Sequence, residues 1–340
     1  MDSLTHIALG AIVGEALAGR REGKKALLWG ALAQSLPDID FIASAWLDTA
    51  HDVAAHRGIT HSFLFVLVAA ALLALAARRI HRHRPFSYRD GFIFFAVELT
   101  LHILLDAFNA YGTGWLEPFS HMRFSFNVLF VADPFFSVWL GISLLALLIL
   151  RNRSKATKFW IYFGLIASSG YLFYCVTNKF RIDARVKGEL ERQHIAYERY
   201  FTSPTPMNSW LWYVVAEAQD GSGYSVGYAS VFDRDPSISF HFFPRNDSLL
   251  APFREREDVK TLLTFSQGYY TVDRWEDRVV FNDLRFGQMR GWNDPQGRFV
   301  FHYYLQRPGE NGIILQRGRF AGWNAQTLRQ FLRRIGGKKE

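Results

Sequence analysis

Ionisable side chains inside apolar stretches are costly, so each one asks for a function. In this chain they are His6, Glu15, Asp38, Asp40, Glu98, His102 and Asp106, and the string HRGITHS at 56–62 adds His56 and His61. His102 and Asp106 are four apart, a spacing that puts both on one face of a helix, one turn from each other. Neutral imidazole and carboxylate are standard zinc ligands, and a carboxylate can bridge two ions. Asn109 lies within one further turn and suits a water or a ligand. PDID at 37–40 sets a proline before two carboxylates at the end of an apolar run. That is either a helix terminator and turn or a pair of acids aimed into a cleft. Gly58 lets the backbone turn tightly, so His56 and His61 could converge. Thr60 or Ser62 suits the N-cap of the next helix. A lone HxxxD or a lone histidine pair is weak evidence; the set points to a bound cation.

The elements that must position these groups are apolar. Residues 61–77, 91–110, 134–150 and 159–176 are runs of membrane length or close to it, since roughly 17–25 residues cross a bilayer core. Residues 3–19 and 26–47 are interrupted by polar groups and read as a helical pair entering the membrane. Three basic clusters separate the runs: Arg20, Arg21, Lys24 and Lys25; Arg78, Arg79, Arg82, Arg84 and Arg89; Arg151, Arg153, Lys155 and Lys158. The opposite loops, 48–60 and 111–133, hold only Arg57 and Arg123. The positive-inside bias therefore puts the clusters in the cytoplasm and the other loops outside. On that topology His6, Asp38, Asp40, His56, His61, His102, Asp106 and Asp133 all fall at the outer membrane level. A secretory signal is not expected, because the start lacks a basic n-region and a cleavage site.

The whole chain has 340 residues, 39 Lys+Arg against 31 Asp+Glu and a formal net charge of +8, with 49% apolar and 16% aromatic residues. That excludes a disordered chain, and the excess charge is too small to announce a nucleic-acid partner. The single Cys175 excludes an intrachain disulfide. Beyond residue 180 the character changes. Residues 182–200 read as a charged amphipathic helix broken by SPTP at 203–206. Alternating aromatic and β-branched runs come next at 210–218, 223–232, 237–243, 268–275, 278–286, 298–306 and 311–320, with helices at 255–266 and 324–335. The expected fold is an α-helical transmembrane domain over 1–180, followed by a soluble α+β domain over 181–340 with a mainly antiparallel sheet. If 159–176 crosses, that domain is periplasmic or extracellular, although Lys179, Arg181, Arg185 and Lys187 argue mildly against it. Its His241 and His302 read as satisfied sheet residues.

DSLTH at 2–6, PDID at 37–40, HRGITHS at 56–62, HILLD at 102–106 and NAYGT at 109–113 occur in that order. With them the chain resembles, over about residues 1–180, the YdjM-type family of bacterial inner-membrane proteins regarded as metal-dependent hydrolases. That family is distantly similar to zinc-dependent phospholipase C and related single-strand nucleases. The resemblance implies a divalent metal, most simply Zn2+, as one or two ions. Its ligands would be His6, Asp38 or Asp40, His56 or His61, and the pair His102 and Asp106, with Asp106 as the bridge. Those soluble enzymes also use an N-terminal amine, a role Asp2 could fill here; for their further His/His/Glu group, His121 and Glu117 are poor matches. Whichever of Asp38 and Asp40 is not a ligand would take a proton from water. Arg57, Arg123 and Asn109 would hold a phosphate, although ordinary surface charge is the simpler reading of the two arginines. A lipid or lipid-linked phosphoester at the outer face would be the substrate. A cation or proton transporter and a non-catalytic assembly or regulatory protein are the alternatives, and no partner of the C-terminal domain can be named.

Overall fold

The computed structural model describes residues 1–80, 87–150, 154–311, 320 and 323–339. It divides into two compact units: Met1–Ile42 with Ala55–Tyr174, and Ala43–Ala54 with Cys175–Glu340.

The first unit is helical. α1 (Ser3–Glu22) begins at Asp2, whose carboxylate accepts from the Thr5 amide at 3.0 Å and from the Thr5 hydroxyl at 2.6 Å. Asp2 is thus a helix cap, the ordinary use of an acid at that position. α1 turns at Gly23 (φ 61) into α2 (Lys25–Ser35), and the two pack closely because Gly10, Gly14 and Gly30 carry no Cβ. A Cβ on Gly10 would collide with the Gly30 carbonyl, and one on Gly14 with that of Ala26. Pro37 ends this pair and opens a 3-10 segment, Pro37–Ala45, which carries both PDID carboxylates. The chain passes through a short helix, α3 (Thr49–Ala55), which belongs to the second unit but for its last residue, and re-enters the first at a 3-10 turn (Ile59–His61) before α4 (Phe63–Ile80). α5 (Tyr88–Asp106) returns beside α4. Small residues of α1, α2 and α4 (Ala18, Ala26, Ala33, Ala70, Ala74) receive Phe94, Leu99 and Ile103 of α5 in one core. α6 (Pro134–Ile149) starts at Asp133, which accepts from the Phe135 amide at 2.9 Å and the Tyr171 hydroxyl at 3.0 Å.

Three helices show apolar stripes on the outside. Leu64, Leu67, Val68, Leu72 and Leu75 form one on α4; Val138, Ile142, Leu145 and Ile149 form one on α6. Phe159, Tyr162, Ile166 and Phe173 form the third on α7 (Lys155–Arg192). Helices in water expose the opposite pattern. By length and composition α7 can cross a membrane, and α3 with α4 is a second candidate bent by 58° at its break. The four full crossings expected from hydropathy thus reduce to one or two. α6 has 16 residues, and the run at 61–77 continues from a broken α3 rather than standing as a straight span.

α7 has 38 residues and continues to Arg192, so the charged helix expected at 182–200 is its last third. The next element is a strand, β1 (Tyr197–Pro204), which the expected helix had hidden. β2 (Leu211–Ala218), β3 (Gly223–Ser230) and β4 (His241–Pro244) complete an antiparallel sheet in the order β1-β2-β3-β4. β5 (Tyr270–Trp275), β6 (Arg278–Gln288) and β7 (Phe299–Tyr304) form a second antiparallel sheet. The strand expected at 311–320 lies almost wholly outside the described residues, as do Arg82, Arg84, Arg151 and Arg153 of the basic clusters. Alternation along β2 explains the packing. Trp212, Val214 and Ala216 meet Ile182, Val186 and Leu190 of α7 on one face. Tyr213 and Val215 meet Leu284 and Phe299 of the second sheet on the other. α8 (Asp247–Leu250), α9 (Glu257–Phe265) and α10 (Ala325–Ile335) complete this unit, the last two within a few residues of the expected helices.

Candidate metal centre

Four segments deliver side chains to one buried point in the helical unit. α5 presents His102 and Asp106 from successive turns of one face, both fully buried. The turn after Gly58 brings in His61, also fully buried. The 3-10 segment brings Asp38, whose side chain keeps 20% of its surface. One ligand atom from each of these residues lies within 4.8 Å of all the others. The Nε2 atoms of His61 and His102 are 3.1 Å apart. Asp38 Oδ1 is 3.6 Å from each, and Asp106 Oδ2 is 3.3 Å from His61 and 3.7 Å from His102. A tetrahedral cation with bonds of about 2.0–2.2 Å needs ligand-to-ligand edges of about 3.3–3.6 Å. These five edges bracket that value, and the sixth, between Asp38 and Asp106, lies within 4.8 Å, so the residues can hold a single metal ion.

The proton positions make the same demand. His102 Nδ1 is 2.6 Å from the Gln34 carbonyl, which can only accept, so Nδ1 carries the hydrogen. The Thr60 hydroxyl donates to Asp40 Oδ2 at 3.0 Å and therefore accepts from His61 Nδ1 at 3.0 Å. Both rings are left with bare Nε2 lone pairs pointing at one another across 3.1 Å, beside two carboxylates. Lone pairs so arranged repel unless a cation lies between them. Outer partners that fix the tautomer and aim of a ring in this way are the usual support of metal-binding histidines.

His6 stands next to this group. Its ring stacks on His102 with centroids 3.8 Å apart, and its Nδ1 faces Gln34 Oε1 at 3.3 Å. Its Nε2 lies 3.1 Å from Asp106 Oδ1, which the Met1 amine also meets. Asp106 thus turns one oxygen to His61 and His102 and the other to His6. Asp2, the expected substitute for an amine ligand, is occupied in capping α1.

Other expected site residues sit one step back. Asp40 accepts from His56 Nδ1 at 2.9 Å, from the Arg57 amide at 2.8 Å and from Thr60. Its oxygens are committed to holding the 56–61 loop, so Asp40 and His56 support the cluster without joining it. Arg57 is not a surface charge: it is buried, with Nε 3.1 Å from Asp106 Oδ2 and Nη1 donating to Asn109 Oδ1 at 2.8 Å. The left-handed backbone of this turn falls on Arg57 (φ 61) rather than on Gly58. A non-glycine residue is strained there, and the bonds of its amide to Asp40 and its carbonyl to the Gly114 amide hold it. Asn109 also accepts from the Tyr111 amide at 3.0 Å, and so faces Arg57 rather than the cluster. Arg123 donates to the His56 carbonyl at 3.0 Å. His121 pairs with Glu117 at 2.9 Å on the surface. Asp133 is a cap of α6, not a member of the cluster.

Gln34 and Thr60 carry the support, and sequence reasoning passed over both roles. Gln34 is open to the same argument as the histidines, being, with Ser35, one of two polar residues in the run ALLWGALAQSL. It is fully buried, touches His6 and His102, and faces the buried carboxyl of Glu98.

The fold and the site define a helical protein with apolar outer faces and a buried His/Asp cluster able to hold a metal ion. Residues 1–182 match the family of YdjM inner membrane proteins, and the chain belongs to that family of the inner membrane. It is 26% identical to the Bacillus subtilis (strain 168) protein YfhP, named as uncharacterized, over 298 residues, 84% of this chain and 87% of that one. It is 32% identical to the inner membrane protein YbcI of Escherichia coli K12 over 127 residues, 36% of this chain and 69% of that one. No solved structure matches it.

Proposed function

We propose that this protein is a membrane-bound metal-dependent hydrolase acting on an ester or phosphoester of a lipid-like molecule. The observation that supports this is the pair of bare imidazole nitrogens facing each other beside Asp38 and Asp106. A divalent ion such as Zn2+ would be held by His61, His102 and Asp106 with its remaining position open beside Asp38, and would supply charge that acidifies water and polarises a phosphoryl or acyl oxygen. Asp38 is the most exposed of the four, so water and substrate reach the site past it. In this reading Asp38 would take the proton of the attacking water. Arg57 neutralises Asp106 from behind and keeps its carboxylate oriented. Arg123, at the edge of the same loop, is placed to steady the substrate's phosphate. A second ion would use His6 and the far oxygen of Asp106. The reading includes a multi-pass topology, with the site toward the outer leaflet and the sheet domain outside the cell.

The test is metal content of the purified full chain by mass spectrometry, with hydrolysis of bis(p-nitrophenyl) phosphate and of a short-chain phospholipid. Bound zinc with hydrolysis that chelator removes and zinc restores supports the reading. Bound metal without hydrolysis of any ester would leave a structural or regulatory site. Glu98, fully buried one turn before His102, favours a second reading in which the cluster passes protons or cations inward. In that case Glu98→Gln stops ion flux in vesicles, whereas in the hydrolase it leaves turnover in place.

A further inference from the structure

A cavity of about 720 Å³ lies in the helical unit between the end of α1 and the beginning of α7. It is separate from the metal cluster. Glu15 is nine residues beyond His6 and Arg20 fourteen, about 13 and 21 Å along a helix rising 1.5 Å per residue. The wedge has a local cause. Gly164 of α7 has no Cβ, and one there would press on Ser143 and reach Ile12 of α1, so α1 and α7 approach closely at that level. Beyond it the cleft opens, lined by Glu15, Leu17 and Arg20 on one side and Ser154, Lys158 and Leu165 on the other.

The lining is ordered by chemistry. Arg20 and Lys158 bring positive charge to one end, with the Ser154 hydroxyl near the first turn of α7. Leu17 and Leu165 make an apolar wall, and Leu17 is half exposed. Between them Glu15 is 6% exposed, and its Oε2 has no donor. Lys24 is close enough to feel that charge, but its ammonium donates to the Leu147 carbonyl at 2.9 Å. A buried acceptor without a donor is costly. A phosphate alone would be attracted to the arginine and lysine but repelled by Glu15. A phosphate with an ammonium beside it matches the charge at both places, and an acyl chain matches the leucines. We propose that this cleft binds an aminophospholipid, with its phosphate on Arg20 and Lys158, its ammonium on Glu15 and its chain along Leu17 and Leu165.

The experiment uses the full chain in detergent micelles, with binding read by native mass spectrometry. The probes are dihexanoyl phosphatidylethanolamine, dihexanoyl phosphatidylglycerol, free phosphoethanolamine and inorganic phosphate. The ethanolamine lipid should bind tightest. Arg20→Ala with Lys158→Ala should weaken both lipids about 30-fold, from about 1 kcal/mol per basic group. Glu15→Gln should erase the preference for ethanolamine over glycerol and leave metal content unchanged. If the double variant is unstable, Lys158→Ala alone carries the same reading, because that side chain is exposed. Equal binding of both lipids to wild type, or no loss in the variants, would reduce the cleft to ordinary lipid contact and overturn the proposal. Inorganic phosphate or phosphoethanolamine binding as tightly as the lipids would overturn it too, by making this a soluble-anion pocket.

Discussion

The two units bury polar groups in opposite ways. In the sheet unit, buried acids are answered from within. Asp283 is paired with Arg285 at 2.6 Å, Asp233 with Arg334 at 2.6 Å, and Glu217 with Arg199 at 2.6 Å and Arg245 at 3.2 Å. In the helical unit, Asp38, Asp106 and the two bare imidazole nitrogens of His61 and His102 gather with only Arg57 and the Met1 amine as cations among the described residues. Burying acceptors is tolerated only with donors or cations to match. These buried acids of the sheet unit are therefore answered from within, while the acids and imidazoles of the helical cluster are complete only with something added. A self-satisfied network makes a fold, and a converging, unsatisfied one makes a site.

The sharpest way to break this contrast is to remove a ligand. His102→Ala and Asp106→Ala should each abolish stoichiometric metal in the purified protein, and normal metal content in both variants would end the comparison. Metal present at about 1,000 times its dissociation constant adds about 4 kcal/mol of stability. Chelation should therefore speed amide exchange in α5 and leave β5–β7 unchanged. Next in size is the counterpart in the sheet unit. Asp283→Ala strands a buried guanidinium and should cost about 3–5 kcal/mol, read as faster hydrogen exchange in β6 with metal content intact. Loss of metal instead would mean that the units are not independent in this respect.

Smaller effects sharpen the picture. Thr60→Val removes the hydroxyl that fixes the tautomer of His61 and should weaken metal binding about 10–100-fold in a competition titration, whereas Gln34→Ala keeps the backbone carbonyl that holds His102 Nδ1 and should change it little. An unchanged affinity in Thr60→Val would assign Thr60 to packing alone. The smallest effect is in pH. Burial holds His302 below its ordinary pKa of 6.5. The unfolded chain then binds a proton that the folded one refuses, so the stability this group contributes is present above about pH 6.5 and is lost as pH falls toward its folded pKa. His302→Gln should flatten that part of the stability curve of the sheet unit. A slope that persists in the variant would move the effect to another group.

How much was legible beforehand differs between the units for a physical reason. Strands β2 to β7 are dictated by period-two alternation between turn residues, and the structure returns them with ends shifted by a few residues. β1 was missed because Tyr197–Pro204 carries charge on its exposed half and continues an apparently helical pattern without a clear break. In the helical unit hydropathy found the apolar stretches but overcounted the crossings. Apolar length says nothing about a break such as the one between α3 and α4. Ligand types were readable, since a histidine in an apolar run announces itself. The division of labour was not. Asp38 and Asp40 are two residues apart in a 3-10 segment, and nothing local says which one turns to the cluster and which to the loop.

The amino-acid order alone determined which chemical groups would be costly to bury, which stretches would be apolar, and the i, i+4 pairing of His102 with Asp106. These are properties of side chains and of a single helix, and they need no partner. Only the tertiary structure decided that His61 Nε2 meets His102 Nε2, that Arg57 is buried behind Asp106 rather than displayed, and that Gln34 and Thr60 set the ring tautomers. Each of those facts is a distance between segments far apart in the chain, set by helix packing through Gly10, Gly14 and Gly30 and by the strained turn at Arg57.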